Sequence, residues 1–189
     1  MEPFVRLDAV AMPLPRANVD TDQIVPARFL KKPRSENFGA FLFHDLRADP
    51  AFVLNQPAYA GARIVVAGRN FACGSSREHA VWALWDGGFR AAIAPSFSDI
   101  FSSNALKNGF LPVVLPNEAV EQILATLANT PGTRLTVDLQ AQSVIAPGGT
   151  HHFEIAPFPK RCLIEGLDEI GYTLGQIEQV AAFERQYDQ

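Results

Sequence analysis

The chain has 189 residues, of which 48% are hydrophobic and 19% are charged, and its formal net charge is −4. These values predict one globular domain with a sizeable core and exclude disordered and collagen-like proteins. The negative balance provides no overall positive field for nucleic acid, and no apolar run approaches the ~20 residues that span a bilayer.

Only two cysteines occur, Cys73 and Cys162. They allow at most one disulfide, which a chain of this length does not need, and residues 1–19 lack the apolar core of a signal peptide. We therefore expect a cytoplasmic protein with reduced thiols. Zinc sites and iron–sulfur clusters usually take three or four soft ligands, so any cluster would have to be held by another chain.

The first third of the chain is the least regular, with a predicted strand at 4–12 and a polar loop around 18–22. From residue 61 onward, apolar runs rich in β-branched residues alternate with helical patterns. Three strand and helix units in succession predict a short parallel sheet covered by helices. The strands are expected at 62–67, 90–94 and 111–115, and the helices at 77–86, 98–108 and 117–128.

Residues 131–158 have a different pattern, in which apolar and polar residues alternate. This alternation predicts a small antiparallel meander around 135–139, 143–146 and 153–155, with a turn at 147–149. The last 30 residues return to a helical pattern. The fold class is therefore a single α/β domain over residues 1–189, with a mostly parallel sheet, flanking helices and a smaller β-rich part.

The densest polar cluster lies between the strand at 62–67 and the helix that follows it. A helix that begins there presents unpaired N–H groups, and Arg77 adds a fork suited to a carboxylate. Open α/β sheets bind anionic ligands at such junctions. Ser75 and Glu78 also fit a capping box, in which the two side chains only cap the helix start. Capping and ligand binding are compatible if one of Ser75 and Ser76 caps the helix while the other faces the ligand.

The polar loop at 18–22 imitates the start of a calcium-binding loop. Gln23 replaces the required glycine and Phe29 takes the place of the bidentate glutamate, so calcium is not expected. Two interpretations remain. The side chains fold onto nearby backbone N–H groups in a turn, or an aspartate held there orients an arginine or the ligand.

Three further features have both a structural and a functional interpretation. The basic residues from Arg28 to Arg34 form a solvated face or a loop that closes over an acidic ligand. His79 is a buried hydrogen-bonding residue, a pocket wall or a catalytic group. His151 and His152 have no third ligand nearby and are expected at the surface.

Five motifs occur in an order that spans nearly the whole chain, and together they are specific. The chain resembles the small-subunit family of 3-isopropylmalate dehydratases, which consists of the aconitase superfamily's swivelling domain. This resemblance implies an aconitase-like swivelling β/β/α fold. It also implies a hydro-lyase that moves a hydroxyl between adjacent carbons of a malate derivative in leucine biosynthesis. The motifs are residues 18–26, 38–43, 70–80, 94–101 and 166–168.

The resemblance also implies roles for individual residues. Ser75 resembles the base that removes the carbon-bound proton, and Arg77 resembles the arginine that binds a substrate carboxylate. Ser76 is expected as a second donor at the substrate, Asp22 as a residue that orients the site, and Arg34 as a second substrate arginine. The partner is a large subunit that carries a [4Fe–4S] cluster, and this chain binds no metal.

Two features modify what the resemblance implies. Ala72 replaces a glycine common in the motif, which predicts an ordinary backbone conformation at that position. An apolar wall within 28–47 is expected to accept an isopropyl group, and its candidates are Leu30, Phe38, Phe41, Leu42 and Phe43. The alternatives are a homoaconitase or methylmalate-type hydratase subunit, or a non-catalytic module that binds an anion.

Overall fold

The computed structural model of the chain describes residues 1–74 and 77–187. Within them, seven strands form one sheet in the order β4-β3-β2-β1-β5-β6-β7. The strands are β1 (Arg6–Leu14), β2 (Ile64–Ala67), β3 (Ala91–Ala94), β4 (Leu111–Val114), β5 (Arg134–Asp138), β6 (Ser143–Ala146) and β7 (Gly149–His152). The three predicted strand and helix units are confirmed.

The helices of the described residues follow the predicted order. They are α1 (Thr21–Ile24), α2 (Glu78–Asp86), α3 (Asp99–Lys107), α4 (Asn117–Asn129), α5 (Pro157–Glu165), α6 (Glu169–Leu174) and α7 (Ile177–Tyr187). The irregular first third contains short 3-10 turns between residues 27 and 59. Helix α5 ends at Gly166, whose φ of 70° places it in the left-handed region that favours glycine.

Strand β1 joins the parallel and antiparallel parts of the sheet. Its second half, residues 11–14, pairs in parallel with β2, and β2, β3 and β4 continue in the same direction. Its first half, residues 6–10, pairs with β5 in the antiparallel sense, and β6 and β7 extend that side. The sheet therefore has three parallel and three antiparallel pairings, and the predicted meander is part of the same sheet.

Two hydrophobic cores lie on opposite faces of the parallel strands. In β2, Val65 and Ala67 face a core that contains α2 and α3, while Ile64 and Val66 face a core that contains α4 and Leu163 of α5. Burial on both faces explains why these strands are continuous apolar runs in the sequence. The parallel strands all end at one carboxyl edge, where the functional residues were predicted.

The third strand of the meander differs from the prediction at 153–155. Strand β7 ends at His152, and its register pairs Ala146 with Gly149, which leaves only Pro147 and Gly148 in the turn. Gly148 has a φ of 105°, a conformation suited to such a tight turn. Phe153 then donates one backbone hydrogen bond to the Gln142 carbonyl before α5 begins. Phe153 is buried just after the end of β7, which explains its apolar character without a further strand.

Candidate active site

Three loops meet at the carboxyl edge of the parallel strands, and backbone hydrogen bonds join them. The loop after β1 is joined to the loop after β2 by Thr21 N donating to Cys73 O (3.1 Å) and Cys73 N donating to Val19 O (3.2 Å). The loop after β3 joins on the other side, where Phe71 N donates to Ser96 O at 3.0 Å. The predicted polar cluster is therefore held between two neighbouring loops.

The loop after β2 uses an unusual backbone conformation. Asn70, Ala72 and Gly74 have φ values of 60°, 57° and 85°. The expectation of an ordinary conformation at Ala72 was wrong, because this fully buried alanine occupies the left-handed region. The Ser98 hydroxyl donates to the Ala72 carbonyl at 2.8 Å and also caps α3, which holds the loop in this shape.

The loop after β1 satisfies both interpretations of its aspartates, at different residues. Asp20 caps α1 by accepting a hydrogen bond from Gln23 N at 2.8 Å. Asp22 instead points away from the turn and forms an ion pair with the guanidinium of Arg77. An aspartate in this turn therefore does orient an arginine, and that arginine stands at the start of α2.

Helix α2 begins at Glu78, with Arg77 as its N-cap and no hydrogen bond from a described side chain capping it. A capping box would require Ser75 at the N-cap and Glu78 three residues into the helix. Glu78 is instead the first helical residue, and its carboxylate accepts from Asn108 Nδ2 of α3 at 2.7 Å. The capping-box interpretation was therefore wrong, and the positive end of α2 faces the loop that carries Arg77.

Ser75 and Ser76, the predicted base and second donor, lie outside the described residues. Their neighbours on both sides are described. Gly74 precedes them with a left-handed backbone next to Asp20, and Arg77 follows them on the ion pair with Asp22.

Arg34 lies apart from Arg77 and Asp22. Its guanidinium forms two hydrogen bonds with Asp86, of 2.9 and 3.1 Å, at the far end of α2. Asp86 lies nine residues after Arg77 in the sequence, which corresponds to ~13 Å along the helix axis. The structure thus brings together Arg77 and Asp22, and it places Arg34 at the opposite end of the same helix.

The predicted apolar wall separates into core residues and accessible residues. Phe38, Leu42 and Phe43 are at most 1% exposed and belong to the core beneath α2, so their assignment to an accessible wall was wrong. Leu30 and Phe41 keep part of their surface. Phe41 stacks on Phe29 with ring centroids 4.3 Å apart, so an apolar ridge remains.

His79 is a half-buried residue on α2 that touches this segment. Its ring lies 5.4 Å from Phe38 and 4.5 Å from Trp82, measured between centroids. Burial is the main cause that lowers the pKa of His79 below its ordinary value, which favours the neutral ring near pH 7.

The chain does not supply the ligands of an iron–sulfur cluster. Its two cysteines are Cys73, in the loop after β2, and Cys162, which is buried in α5. Burial raises the pKa of the Cys162 thiol and makes it unreactive. In residues 1–74 and 77–187, no three His, Cys, Asp or Glu side chains group to hold a metal. The donor set therefore does not fit a cluster.

Across the described part of the chain, no helix is long and apolar enough to cross a membrane.

The adjacent histidines His151 and His152 both lie on the edge strand β7, as expected for surface residues.

Sequence reasoning missed three polar residues that organise the site. Ser96 accepts from Asn70 N at 2.8 Å, and Ser98 caps α3 while it holds Ala72. Asp86 anchors both Arg34 and the backbone of Phe38. Ser98 had a recognisable signal, since a serine before an acidic residue and an apolar helix is typical of an N-cap.

Comparison with known proteins places this architecture in a family. The sequence profile described as the aconitase C-terminal domain matches residues 1–118, and one described as LeuD_N matches residues 121–157. A solved structure of 3-isopropylmalate dehydratase from Methanocaldococcus jannaschii superposes with a TM-score of 0.70, covering 95% of this chain and 99% of that one. Its sequence identity is 24%, so this likeness supports the fold alone.

Closer relatives are similar along their whole length. The 3-isopropylmalate dehydratase small subunit of Acidobacterium capsulatum is 51% identical, with 100% of this chain and 92% of the relative covered. That of Dinoroseobacter shibae is 48% identical, with 98% and 96% covered. With these identities over nearly complete chains, and with the aconitase-type domain matched over most of the residues, the chain belongs to the 3-isopropylmalate dehydratase small-subunit family of the aconitase superfamily.

Proposed function

We propose that the chain is the small subunit of a 3-isopropylmalate dehydratase and is active only with its large subunit. The pair would interconvert 2-isopropylmalate and 3-isopropylmalate through isopropylmaleate, a step of leucine biosynthesis. Family membership supports this proposal, as does the pairing of Arg77 with Asp22 at the carboxyl edge of the sheet. A [4Fe–4S] cluster would belong to the large subunit, because this chain's two cysteines do not form a ligand set.

The single observation that carries the proposal is the position of Arg77. A guanidinium at the N-cap of α2, oriented by Asp22, is suited to hold one carboxylate of a dicarboxylate substrate by paired hydrogen bonds. Its side chain is 22% exposed, so it is accessible to a ligand while most of its stem is packed. Ser76, next to Arg77 in the sequence, would add a second donor.

The chemistry assigned to this chain is a proton transfer. In the dehydration direction, the Ser75 alkoxide would take the proton from the substrate carbon and the electron pair of that C–H bond would form the carbon–carbon double bond. The C–O bond of the neighbouring hydroxyl would break, and the hydroxyl would leave as water with a proton supplied by an acid of the large subunit. Rehydration reverses these steps with the hydroxyl on the other carbon. A serine is a weak base, and a positive helix end and a guanidinium stabilise its alkoxide in a site closed to water.

The remaining assignments follow the same proposal. Asp22 would orient Arg77, and Arg34 would bind substrate only after leaving Asp86. Leu30 and Phe41 would offer apolar surface to the isopropyl group. Residues 1–189 would act as one cytoplasmic domain, supported by the continuous sheet to which both matched segments contribute.

The experiment that tests the proposal is Ser75→Ala in the reconstituted pair. Loss of a general base costs ~100-fold to 10,000-fold, so we expect turnover of 2-isopropylmalate to fall at least 100-fold. The matched control is Ser103→Ala, an exposed serine on α3, which should leave turnover unchanged. Near-normal turnover of the Ser75 variant would remove the base assignment and favour an anion-binding module.

A further inference from the structure

A cavity opens at the amino edge of the parallel strands, on the opposite edge of the sheet from Arg77. Its volume is about 120 Å³, several times the ~10–15 Å³ that one water molecule requires. The charged residues that line it are Arg6, Arg63, Arg90 and Glu2, which we call the amino-edge cluster. Three guanidiniums therefore share one cavity with a single carboxylate, although the chain as a whole has a net charge of −4.

The fold brings Arg63 and Arg90 together at the start of neighbouring strands. They directly precede Ile64 and Ala91, which are paired in the parallel ladder of β2 and β3. Arg90 N donates to the Arg63 carbonyl at 2.8 Å, so the backbones remain adjacent at the two arginines. Neighbouring strands lie ~4.8 Å apart, and like charges at adjoining positions repel each other. An anion between the two side chains would remove this repulsion.

Arg90 is fixed in place with one donor unused. Its guanidinium lies over the ring of Trp85, 3.7 Å from the centroid, and its Nη1 donates to the carbonyls of Trp85 and Phe89 at 2.9 and 2.8 Å. Its Nε is buried and makes no hydrogen bond with any described residue. Burial is the main cause that lowers the pKa of Arg90, and the charge of Arg63 lowers it further. An oxyanion that accepts from Nε would therefore stabilise the charged guanidinium.

Glu2 indicates which kind of group the amino-edge cluster accepts. Its carboxylate Oε2 lies 3.5 Å from Arg90 Nε, an ion-pair contact that is longer than an ordinary N–H···O hydrogen bond. The Glu2 side chain is 61% exposed, so it is free to turn out into solvent. A carboxylate from this chain therefore already lies beside Arg90, in a loose contact that a ligand can replace.

The other two arginines leave most of their donors available. Arg63 is exposed, and within residues 1–74 and 77–187 its side chain forms no hydrogen bond or ion pair. Arg6 has a 3.7 Å ion pair with Asp138 and is 59% exposed. A guanidinium carries five N–H donors in a planar fork that matches the oxygens of a carboxylate or a phosphate. The cavity therefore combines unused donors, positive charge and room for a small ligand.

We propose that the amino-edge cluster is a binding site for a small oxyanion, either a carboxylate or a phosphate. The oxyanion accepts hydrogen bonds from Arg63 and Arg90 after Glu2 has turned aside. Glu2 is thus an internal competitor for the site, and Arg63 is one of its donors. Because the site lies at the opposite edge of the sheet from Arg77, it does not depend on the proposed function.

The test is a nuclear magnetic resonance titration of the full chain in a buffer free of phosphate and carboxylates, at constant ionic strength. The readout is the Nε–H signal of Arg90, and sodium phosphate and sodium acetate are titrated separately. We expect a saturable shift with at least one anion and a Kd on the order of 1 mM, because charge-assisted hydrogen bonds are the strong ones. The anion with the lower Kd identifies the chemistry that the site prefers.

Two substitutions should change the affinity in opposite directions. Arg63→Gln removes a charged donor and should raise Kd at least ~10-fold. Glu2→Gln removes the competing carboxylate and should lower Kd about 2- to 5-fold. The controls are Arg134→Gln, on the antiparallel side, and Arg77→Gln, at the carboxyl edge. Each removes one positive charge at a distance from the cluster and should leave Kd within ~2-fold.

Three outcomes would overturn the inference. They are a shift that rises linearly with both anions without saturation, binding by Arg63→Gln as tight as that of the wild type, and weaker binding by Glu2→Gln. Thermal unfolding shows whether each variant is folded. If Arg63→Gln does not fold, Glu2→Gln decides the question, since tighter binding supports the site and unchanged or weaker binding overturns it.

Discussion

We propose a functional rather than a stabilising role for the Arg77–Asp22 ion pair. The side chains are 22% and 55% exposed, and ion pairs of this kind contribute about 0–1 kcal/mol to stability. Asp22 instead removes rotational freedom from a guanidinium at the positive end of α2. An arginine held in one orientation binds a carboxylate with less entropy cost than a free one.

Arg77→Gln should separate binding from folding. We expect kcat/KM of the reconstituted pair to fall at least ~100-fold, because a charged hydrogen-bonded partner lost at a carboxylate costs about 3 kcal/mol or more. The free energy of unfolding should change by less than ~1 kcal/mol in urea titration. The control is Arg134→Gln, which removes a more exposed ion pair with Asp8 on the antiparallel side and should leave turnover intact. Equal turnover in the two variants would contradict the role of Arg77.

Ala72→Gly should be nearly neutral for stability. The change removes a buried methyl, worth ~0.8 kcal/mol, and relieves a left-handed alanine, worth ~1 kcal/mol. The two effects offset each other to within ~0.5 kcal/mol. Ala105→Gly, at a buried helical position in α3, has no strain to relieve and should cost ~1.5 kcal/mol in the same denaturation experiment. Similar costs at both positions would show that Ala72 is unstrained.

His79 should make stability depend on pH below neutrality. Burial lowers the pKa of His79 in the folded chain relative to 6.5, so the unfolded chain binds the proton more readily. The contribution of neutral His79 to the free energy of unfolding is therefore fully present above pH ~6.5. It is lost as the pH falls through the lowered pKa that His79 has in the folded chain. As the pH falls from 7.5 to 5.5, the free energy of unfolding of the wild type should therefore fall relative to that of His79→Gln. A difference that stays constant with pH would contradict this.

One contact between site residues was predictable from side-chain chemistry. An aspartate in the loop at 18–22 was expected to orient an arginine or the ligand, and Asp22 pairs with Arg77. The left-handed backbone of Ala72 was not predictable, because it depends on Ser98, which is 26 residues away in the sequence. The capping box failed for a similar reason, because the Glu78 carboxylate accepts a hydrogen bond from Asn108 at the end of α3.

At the level of elements, helix α2 connects the site to residues 27–45 of the irregular first third. Its N-terminus carries Arg77, one face packs into the core through Val81 and Leu84, and another face holds residues 27–45. A change at the C-terminal end of α2 therefore loosens the segment without touching the site directly.

Gly39→Ala should break the close contact between residues 27–45 and the C-terminal end of α2. A Cβ there would lie 2.6 Å from the Asp86 carbonyl oxygen and 2.7 Å from Gly87 N, which are backbone atoms that cannot move aside. Overpacking of this kind costs about 1–3 kcal/mol, which thermal unfolding would detect. Gly175→Ala, at a helical φ of −66° after α6, should cost less than ~0.5 kcal/mol. A small cost at Gly39 would show that the segment is loosely packed.

The parallel strands and the helices that pack on them were the most predictable part of the fold. Strands β2 and β3 are continuous apolar runs, and helices α2, α3 and α4 repeat apolar residues at helical spacing, so all five were located to within about two residues. The third meander strand was misplaced because a two-residue turn at Pro147 and Gly148 shifts the register. The joining of both sheet parts through β1 depends on long-range pairing, which local patterns do not encode.

At the scale of the whole molecule, we propose that the chain provides half of an active site. It offers a guanidinium, a helix N-terminus and an apolar ridge. Its two cysteines do not form the ligand set of an iron–sulfur cluster, so in this proposal the cluster belongs to the large subunit. Its relatives of 51% and 48% identity are named small subunits. We therefore propose that this chain completes a hydro-lyase only when a large subunit is present.

The most direct test is a turnover measurement on the purified chain mixed with the cluster-bearing large subunit of a 3-isopropylmalate dehydratase. Formation of isopropylmaleate is followed from 2-isopropylmalate and from 3-isopropylmalate. We predict turnover of both isomers by the pair and none by either subunit alone. A folded pair without turnover of either isomer, or full turnover by one subunit alone, would contradict the claim.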